Sequence, residues 1–295
     1  MVHRKDGAPP LWPALVSVNI AALIFGTTAL FGRIEASPVW IVAGRGFFAC
    51  AALLVVSTAR ALPWRLPPQA RGRVALSALL LALHWIAFFT AVRVAGVAIG
   101  TLTAATFPLF TIIIESVRRR RAPSFIELGS GATIIVAVML ISGGRAGGAA
   151  ASLGAAAGLL AAVLFALFAL VSQDLAKGTS AVTLSLYQQG MVGLLLLPVL
   201  PFAEPMQTPD AWVAIAALGV IGTALTHQLY LFALRRLPAS VCGGFVTLEP
   251  VYAILFAALL FGEPIRSAVL VSAGLIVGAS LLLLRESDAV AVAPE

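Results

Sequence analysis

The chain has 295 residues, 61% of them hydrophobic and only 11% charged, with a net charge of +7 and a mean hydropathy of +1.04. Soluble domains carry roughly 25% charged residues, so this composition leaves too little polar surface to coat a water-soluble globule. Two cysteines, Cys50 and Cys242, both lie in apolar runs and offer neither a disulfide framework nor a metal spacing.

The apolar residues gather in blocks of about 20, the length that crosses a bilayer as helix. Lipid gives backbone groups no partner, so such spans are helical; the period-two alternation of a β-barrel is absent. The expected fold is therefore an all-α integral membrane protein with ten transmembrane helices.

In chain order, a basic start, MVHRKDGAPPLW, precedes the first block, Leu11 to Phe31. That block is too long for a signal peptide and lacks a clear small-residue cleavage site, so it is read as a retained span; it carries Asn19. The second block, Pro38 to Ala59, holds Arg45, the only basic residue deep in a span. Facing a cavity, Arg45 would grip a carboxylate with two hydrogen bonds; otherwise it snorkels or pairs with another helix. The third, Val74 to Val92, carries His84 and Trp85. Both are candidates for a cavity wall, the indole for stacking and the imidazole for a carboxylate or a proton.

The fourth block, Val97 to Val117, carries Thr101, Thr103, Phe107 and Pro108, then Glu115 beside Arg118 and Arg119, a spacing for an interfacial ion pair. The fifth and sixth, Phe125 to Ser142 and Leu153 to Val171, are almost wholly apolar. The seventh, Ala181 to Leu200, contains LYQQG, where Tyr187 and Gln188 could hydrogen-bond a zwitterion without charge. Gln188 and Gln189 point about 100° apart, so at most one faces a cavity. The eighth, Trp212 to Leu234, contains THQLY, with His227, Gln228 and Tyr230. The ninth, Ala239 to Phe261, sets Glu249 beside Pro250, and the tenth runs from Ile265 to Leu284. Each proline removes a backbone hydrogen bond within its span, so one carbonyl must find water, a side chain or a ligand. Glu249 is read either as a coupling or ammonium-binding group or, preferentially, as a structural acid that caps backbone donors near the bend.

Basic residues assign the orientation. With the N-terminus cytoplasmic, Arg4, Lys5, Arg60, Arg65, Arg71, Arg73, Arg118 to Arg121, Lys177, Arg235, Arg236 and Arg285 fall inside, while Arg33, Arg93, Arg145 and Arg266 fall outside, fourteen against four. Both termini are thus expected in the cytoplasm, and the run of four arginines reads as a membrane-face anchor rather than a nucleic-acid patch.

The chain repeats itself. FFTAVRVAGVAIGTLTAATFPLF (88–110) aligns with YLFALRRLPASVCGGFVTLEPVY (230–252), 142 residues on, pairing Arg93 with Arg235, Gly96 with Pro238 and Pro108 with Pro250. His84 and Trp85 meet Thr226 and His227 at the same offset. The expected units are residues 11–142 and 151–285, joined by the Gly-rich linker 143–150. Five spans per unit is odd, so the second unit stands inverted in the membrane, an architecture of secondary transporters that rock around a midplane site. On this reading His84, Tyr187 and His227 line one shared, mostly uncharged opening.

ASVCGGFVTLEPVYAILFAALLFGEPIRSAVLVSAGLIVGASLLL (239–283), with Leu-Glu-Pro and then Gly-Glu-Pro, resembles the last two spans of the drug/metabolite transporter superfamily, EamA type. AATFPLFTIIIESV resembles the matching span of the first repeat, departing from it with Phe107 in place of Glu249. The resemblance implies export of small metabolites across a bacterial inner membrane, and the chain is most similar to exporters of neutral and aromatic amino acids. A multidrug or cation exporter is the alternative within the superfamily. A sugar-phosphate carrier would need more buried cations than Arg45.

An integral-membrane enzyme or receptor would need a catalytic pair or signalling loop, and neither is present. No Walker loop, dinucleotide fingerprint or zinc spacing occurs, so no cofactor and no metal is expected. Gly96/Gly100, Gly154/Gly158 and Gly274/Gly278 allow close helix approach. Packing within the chain is the first reading, and a homodimer through the tenth span stays open.

Overall fold

A computed structural model describes residues 10–28, 36–142, 148–206, 208–261 and 267–292. Most of the linker, the second Gly-Glu-Pro (262–264), and Arg4, Lys5, Arg33, Arg145 and Arg266 lie outside the described residues.

Local chemistry sets the helix starts. Ser37 precedes α2 (Pro38–Ala59) and its hydroxyl accepts from the Trp40 N–H, while Pro38 occupies the first turn, where no backbone donor is needed. Ser124 and Glu127 satisfy each other's backbone N–H groups at the start of α5 (Phe125–Ser142), a reciprocal cap. Ser180 and Thr208 cap α7 (Ala181–Leu196) and α8 (Pro209–Gly219) through their hydroxyls. The remaining helices are α1 (Trp12–Thr28), α3 (Pro68–Ala104), α4 (Phe107–Arg118), α6 (Gly148–Gly178), α9 (Thr226–Leu234), α10 (Ala239–Val246), α11 (Glu249–Phe261) and α12 (Ser267–Val292). No strand occurs among the described residues.

Four segments are long and apolar enough to cross a membrane: Pro38–Ala59, Pro68–Gly96, Ala149–Gly178 and Pro209–Leu234. Trp12–Thr28, Phe125–Ala137, Ala181–Leu196 and Leu270–Leu283 are shorter apolar helices.

The fourth and ninth apolar blocks are not single bent helices. The helix of the third block breaks at Gly96, whose φ of 82° is not helical, and a second short helical segment runs on to Ala104. It stops at a tight turn, Ala105–Thr106, and α4 starts anew. The ninth block stops at Thr247–Leu248 between α10 and α11. Pro108 and Pro250 therefore sit in the first turn of new helices, where proline is tolerated, rather than inside continuing ones. The eighth block is interrupted too, with no proline involved: α8 passes through a π-helical stretch, Val220–Leu225, into α9.

Small residues let the helices approach. A Cβ at Gly154 would collide with Ala95, and one at Gly158 with Thr103, so both glycines seat α6 against α3. A Cβ at Gly219 would stand 2.5 Å from the Phe48 Cβ and 2.9 Å from the Arg45 carbonyl oxygen, which seats α8 against α2. Gly274 and Gly278 differ: added Cβ atoms there would meet nothing within 4 Å. Buried hydroxyls stitch α1 to α9 (Ser17 to the Leu229 carbonyl, 2.9 Å) and α12 to α5 (Ser272 to the Ala137 carbonyl, 2.7 Å).

One end of the bundle carries an ion-pair network. Asp174 accepts from Arg73 (2.8 Å) and Arg118 (2.9 Å), and Glu115 from Arg119 (2.8 Å); Arg121 pairs with Glu127. Single exposed pairs contribute little, but together they join the ends of α4 and α6 to the starts of α3 and α5.

Gly219→Ala should force α8 off α2 at the level of Arg45. The expected loss is about 1–3 kcal/mol, the usual cost of overpacking. Thermal unfolding in detergent should show a lowered midpoint, whereas Gly274→Ala should leave it unchanged.

Candidate functional site

The interior of the bundle holds a cavity of about 60 Å³. Its walls come from α1 (Phe25, Thr28), α2 (Arg45), α3 (His84, Trp85, Phe88, Thr101, Ala104), the turn into α4 (Ala105, Phe107), α6 (Phe165) and the α10–α11 junction (Val246, Thr247, Glu249, Pro250).

Arg45 is only 3% exposed. Its Nε donates to the Thr223 hydroxyl (2.9 Å) and its Nη2 to the Gly222 carbonyl (3.4 Å). The guanidinium carbon lies 3.8 Å from the centroid of Trp85, a cation–π contact. Thr223 and Gly222 belong to the π-helical stretch, and the Thr223 hydroxyl itself donates to the Leu218 carbonyl, five residues back. The irregular turn thus presents a hydroxyl and a carbonyl to a charge that hydrocarbon would not solvate.

His84 lies on the same wall. A carbonyl can only accept, so the 2.8 Å contact with Ala161 places the proton on Nδ1 and leaves Nε2 for the cavity. The ring packs on Phe165 at 4.8 Å, and Phe165 meets Phe107 edge-on at 4.7 Å.

The helix breaks face this space. Pro108 and Pro250 offer no N–H to the carbonyls four residues earlier, those of Ala104 and Val246, and both of these residues line the cavity. Glu249 opens α11 at the cavity wall. Among the described residues its carboxylate has no hydrogen-bond or ion-pair partner, so it is not the cap for backbone donors that the sequence suggested. Glu249 and Arg45 line the same cavity without forming an ion pair.

The other sequence candidates lie elsewhere. Gln188 is fully buried and donates to the Ser77 and Ser172 hydroxyls (2.9 and 3.0 Å), a tie among α7, α3 and α6. Gln228 donates to the Ala181 carbonyl (3.1 Å). Tyr230 is fully buried in the core, its hydroxyl without a partner among the described residues. His227 forms a second layer, packed edge-on against Trp85 (5.4 Å) and Phe25 (5.9 Å). Tyr187 donates to the Trp64 carbonyl (2.7 Å) and lines a different pocket, beside Arg65 and Arg71. The shared opening of His84, Tyr187 and His227 therefore does not form. The helical faces that carry Tyr187 and His227 pack against other segments, and the opening is built by Arg45, His84, Trp85 and Glu249. Pro108 sits just behind it, against the position of Gly243.

Sequence reasoning missed Phe25, Phe88, Phe165, Thr247 and the anchoring Thr223. The 142-residue offset contained part of the signal. It relates Ala104 to Val246, Ala105 to Thr247 and Phe107 to Glu249, and all six line the cavity.

The model of the EamA-like transporter family matches residues 12–143 and again 152–285, so one family unit occurs twice. A solved crystal structure, 18% identical, matches with a TM-score of 0.78 over 92% of this chain and 98% of its own; that likeness concerns the fold alone. No curated protein matches the chain.

Thr223→Val should leave the buried Nε of Arg45 without its acceptor. Hydrogen bonds to charged groups contribute about 1.5–3 kcal/mol, and the thermal midpoint should fall accordingly. In the Arg45→Met background the same change should cost much less, and a double-mutant cycle of unfolding midpoints measures the difference.

Proposed function

The chain belongs to the EamA-like transporter family, and from that membership we propose that it exports neutral and aromatic amino acids across a bacterial inner membrane. It is a multi-pass membrane transporter; the substrate, the direction and the cycle are the proposal. Two five-helix halves, inverted with respect to each other and with both termini cytoplasmic, rock to open the central cavity to each side in turn.

One observation carries the substrate reading. A guanidinium and an unpartnered carboxyl face the same aromatic cavity without pairing. A zwitterion supplies a carboxylate for Arg45 and an ammonium for Glu249, and Trp85, Phe107 and Phe165 surround an apolar side chain. Burying both charges against opposite charges offsets the desolvation each would otherwise suffer.

The packing supports an inverted pair. α2 lies against α7 and α5 against α12, each helix on its own counterpart, while α3 on α6 is matched by α9 on α1. Such reciprocity is what a two-fold axis between halves produces. α4 and α11 also begin 142 residues apart, at Phe107 and Glu249.

The unpartnered Glu249 also favours a second reading, export of lipophilic cations, because a carboxylate in an aromatic box attracts them. Efflux from proteoliposomes loaded with labelled phenylalanine or tetraphenylphosphonium separates the two. For an amino-acid exporter, Arg45→Gln and Glu249→Gln each lower phenylalanine efflux at least about tenfold, the loss of one charged hydrogen bond. For a cation exporter, only Glu249→Gln abolishes transport, and Arg45→Gln speeds it by removing a repelling charge. Phenylalanine leaving wild-type vesicles no faster than protein-free ones would end the amino-acid reading.

A further inference from the structure

A second pocket, of about 370 Å³, lies apart from the central cavity between the start of α3 and the face of α7. Arg65 and Arg71 stand at its mouth, and Leu66, Val74, Tyr187 and Met191 form the rest of its lining. Both arginines are exposed, and neither has an acidic partner among the described residues, although nearby Arg73, Arg118, Arg119 and Arg121 are all paired. Two unneutralised guanidinium groups over an apolar floor call for a ligand that is anionic at one end and greasy at the other.

The axis of the pocket sets where that ligand lies. Tyr187 and Met191 sit one helical turn apart on one face of α7. With a rise of about 1.5 Å per residue they lie about 10 and 16 Å from the Ser180 cap, so the pocket runs along the helix into the bundle's apolar zone. Trp64, whose carbonyl holds the Tyr187 hydroxyl, is 44% exposed beside the mouth, the placement of an interfacial aromatic. Charge is at the helix ends and hydrocarbon is along the helix.

We propose that this pocket binds an acidic phospholipid, with Arg65 and Arg71 on its phosphate and an acyl chain along Val74, Tyr187 and Met191. Basic residues near a bilayer surface draw anionic headgroups, and the planar guanidinium fork suits a phosphate. The site is independent of the amino-acid reading, since none of its six lining residues lines the central cavity.

The full chain, extracted in mild detergent and incubated with vesicles of equal phosphatidylglycerol and phosphatidylcholine, is assayed for retained lipid by native mass spectrometry. Wild type should retain phosphatidylglycerol over phosphatidylcholine by about tenfold or more, given two unpaired arginines. The R65Q/R71Q double variant should bring the ratio close to one. Arg60→Gln, an exposed arginine outside the pocket, should leave it unchanged. Met191→Trp, which fills the deep end but spares both arginines, should also reduce retention. The proposal is overturned if R65Q/R71Q keeps the preference, if Met191→Trp has no effect, or if millimolar inorganic phosphate strips the lipid from wild type as R65Q/R71Q does. That last result would mark a site for a free anion.

Discussion

A peptide group in hydrocarbon must find its partner inside the protein, and this governs where the helices of this chain break. The described helices are interrupted at Ala105–Thr106 and Thr247–Leu248, and Pro108 and Pro250 follow each break at once. The residues whose carbonyls lose a donor, Ala104 and Val246, border the same cavity. Facing lipid, those oxygens would be orphaned. Facing a cavity, they have room for water or a ligand. The breaks and the cavity are two aspects of one solution, which explains why the most irregular backbone and the most polar side chains of the interior occur together.

The same rule explains Arg45. A buried guanidinium needs acceptors, and a regular helix has none to spare because each interior carbonyl is taken by the N–H four residues on. The π-helical stretch in the eighth block changes that accounting and turns the Gly222 carbonyl and the Thr223 hydroxyl toward Arg45. Trp85 then covers one face of the cation, and His227 backs Trp85. The hydrogen bonds of Arg45 to Thr223 and Gly222 and of His84 to Ala161 all run from the first family unit to the second. In the proposed cycle, movement of one half against the other therefore acts directly on the groups that would hold substrate.

Much of the fold was legible because composition and block length are coarse signals. Pro38–Ala59 and the helix from Phe125 begin where the hydropathy does, since Ser37 and Ser124 cap the first turns there. The broken helices were legible only in part. Prolines at 108 and 250 marked the places, but a proline in the first turn of a new helix and one inside a bent helix leave the same letter in the sequence. The π-helical stretch was not legible, because VIGTAL carries no proline, and its β-branched residues and single glycine occur equally in regular membrane helices. Among site residues, Arg45, His84, Trp85 and Glu249 were found by asking which polar groups lie deep in apolar blocks. The same question also returned Gln188 and Tyr230, which are buried in the packing, and the half-buried Gln228. Depth along the chain does not reveal which face of a helix points inward, and the Gln188 and Gln228 NH2 groups find acceptors in Ser77, Ser172 and a backbone carbonyl away from the cavity.

Duplication gives this protein its geometry, and divergence between the copies gives it chemistry. Positions 104 and 246, 105 and 247, and 107 and 249 all reach the cavity, so the two copies deliver backbone to it in related ways. Where the first copy has Phe107, the second has Glu249, and one wall becomes aromatic while the other becomes acidic. Arg45 and Tyr187 are also 142 residues apart, yet one is a cation turned into the central cavity and the other a phenol on the wall of a pocket near Arg65 and Arg71. A symmetric pair of arginines would have made an anion site, and a symmetric pair of glutamates a cation site. With one of each on opposite copies, the cavity offers a guanidinium and a carboxyl, and under the proposed function a small zwitterion with an apolar side chain meets both without bringing a third charge into the bilayer.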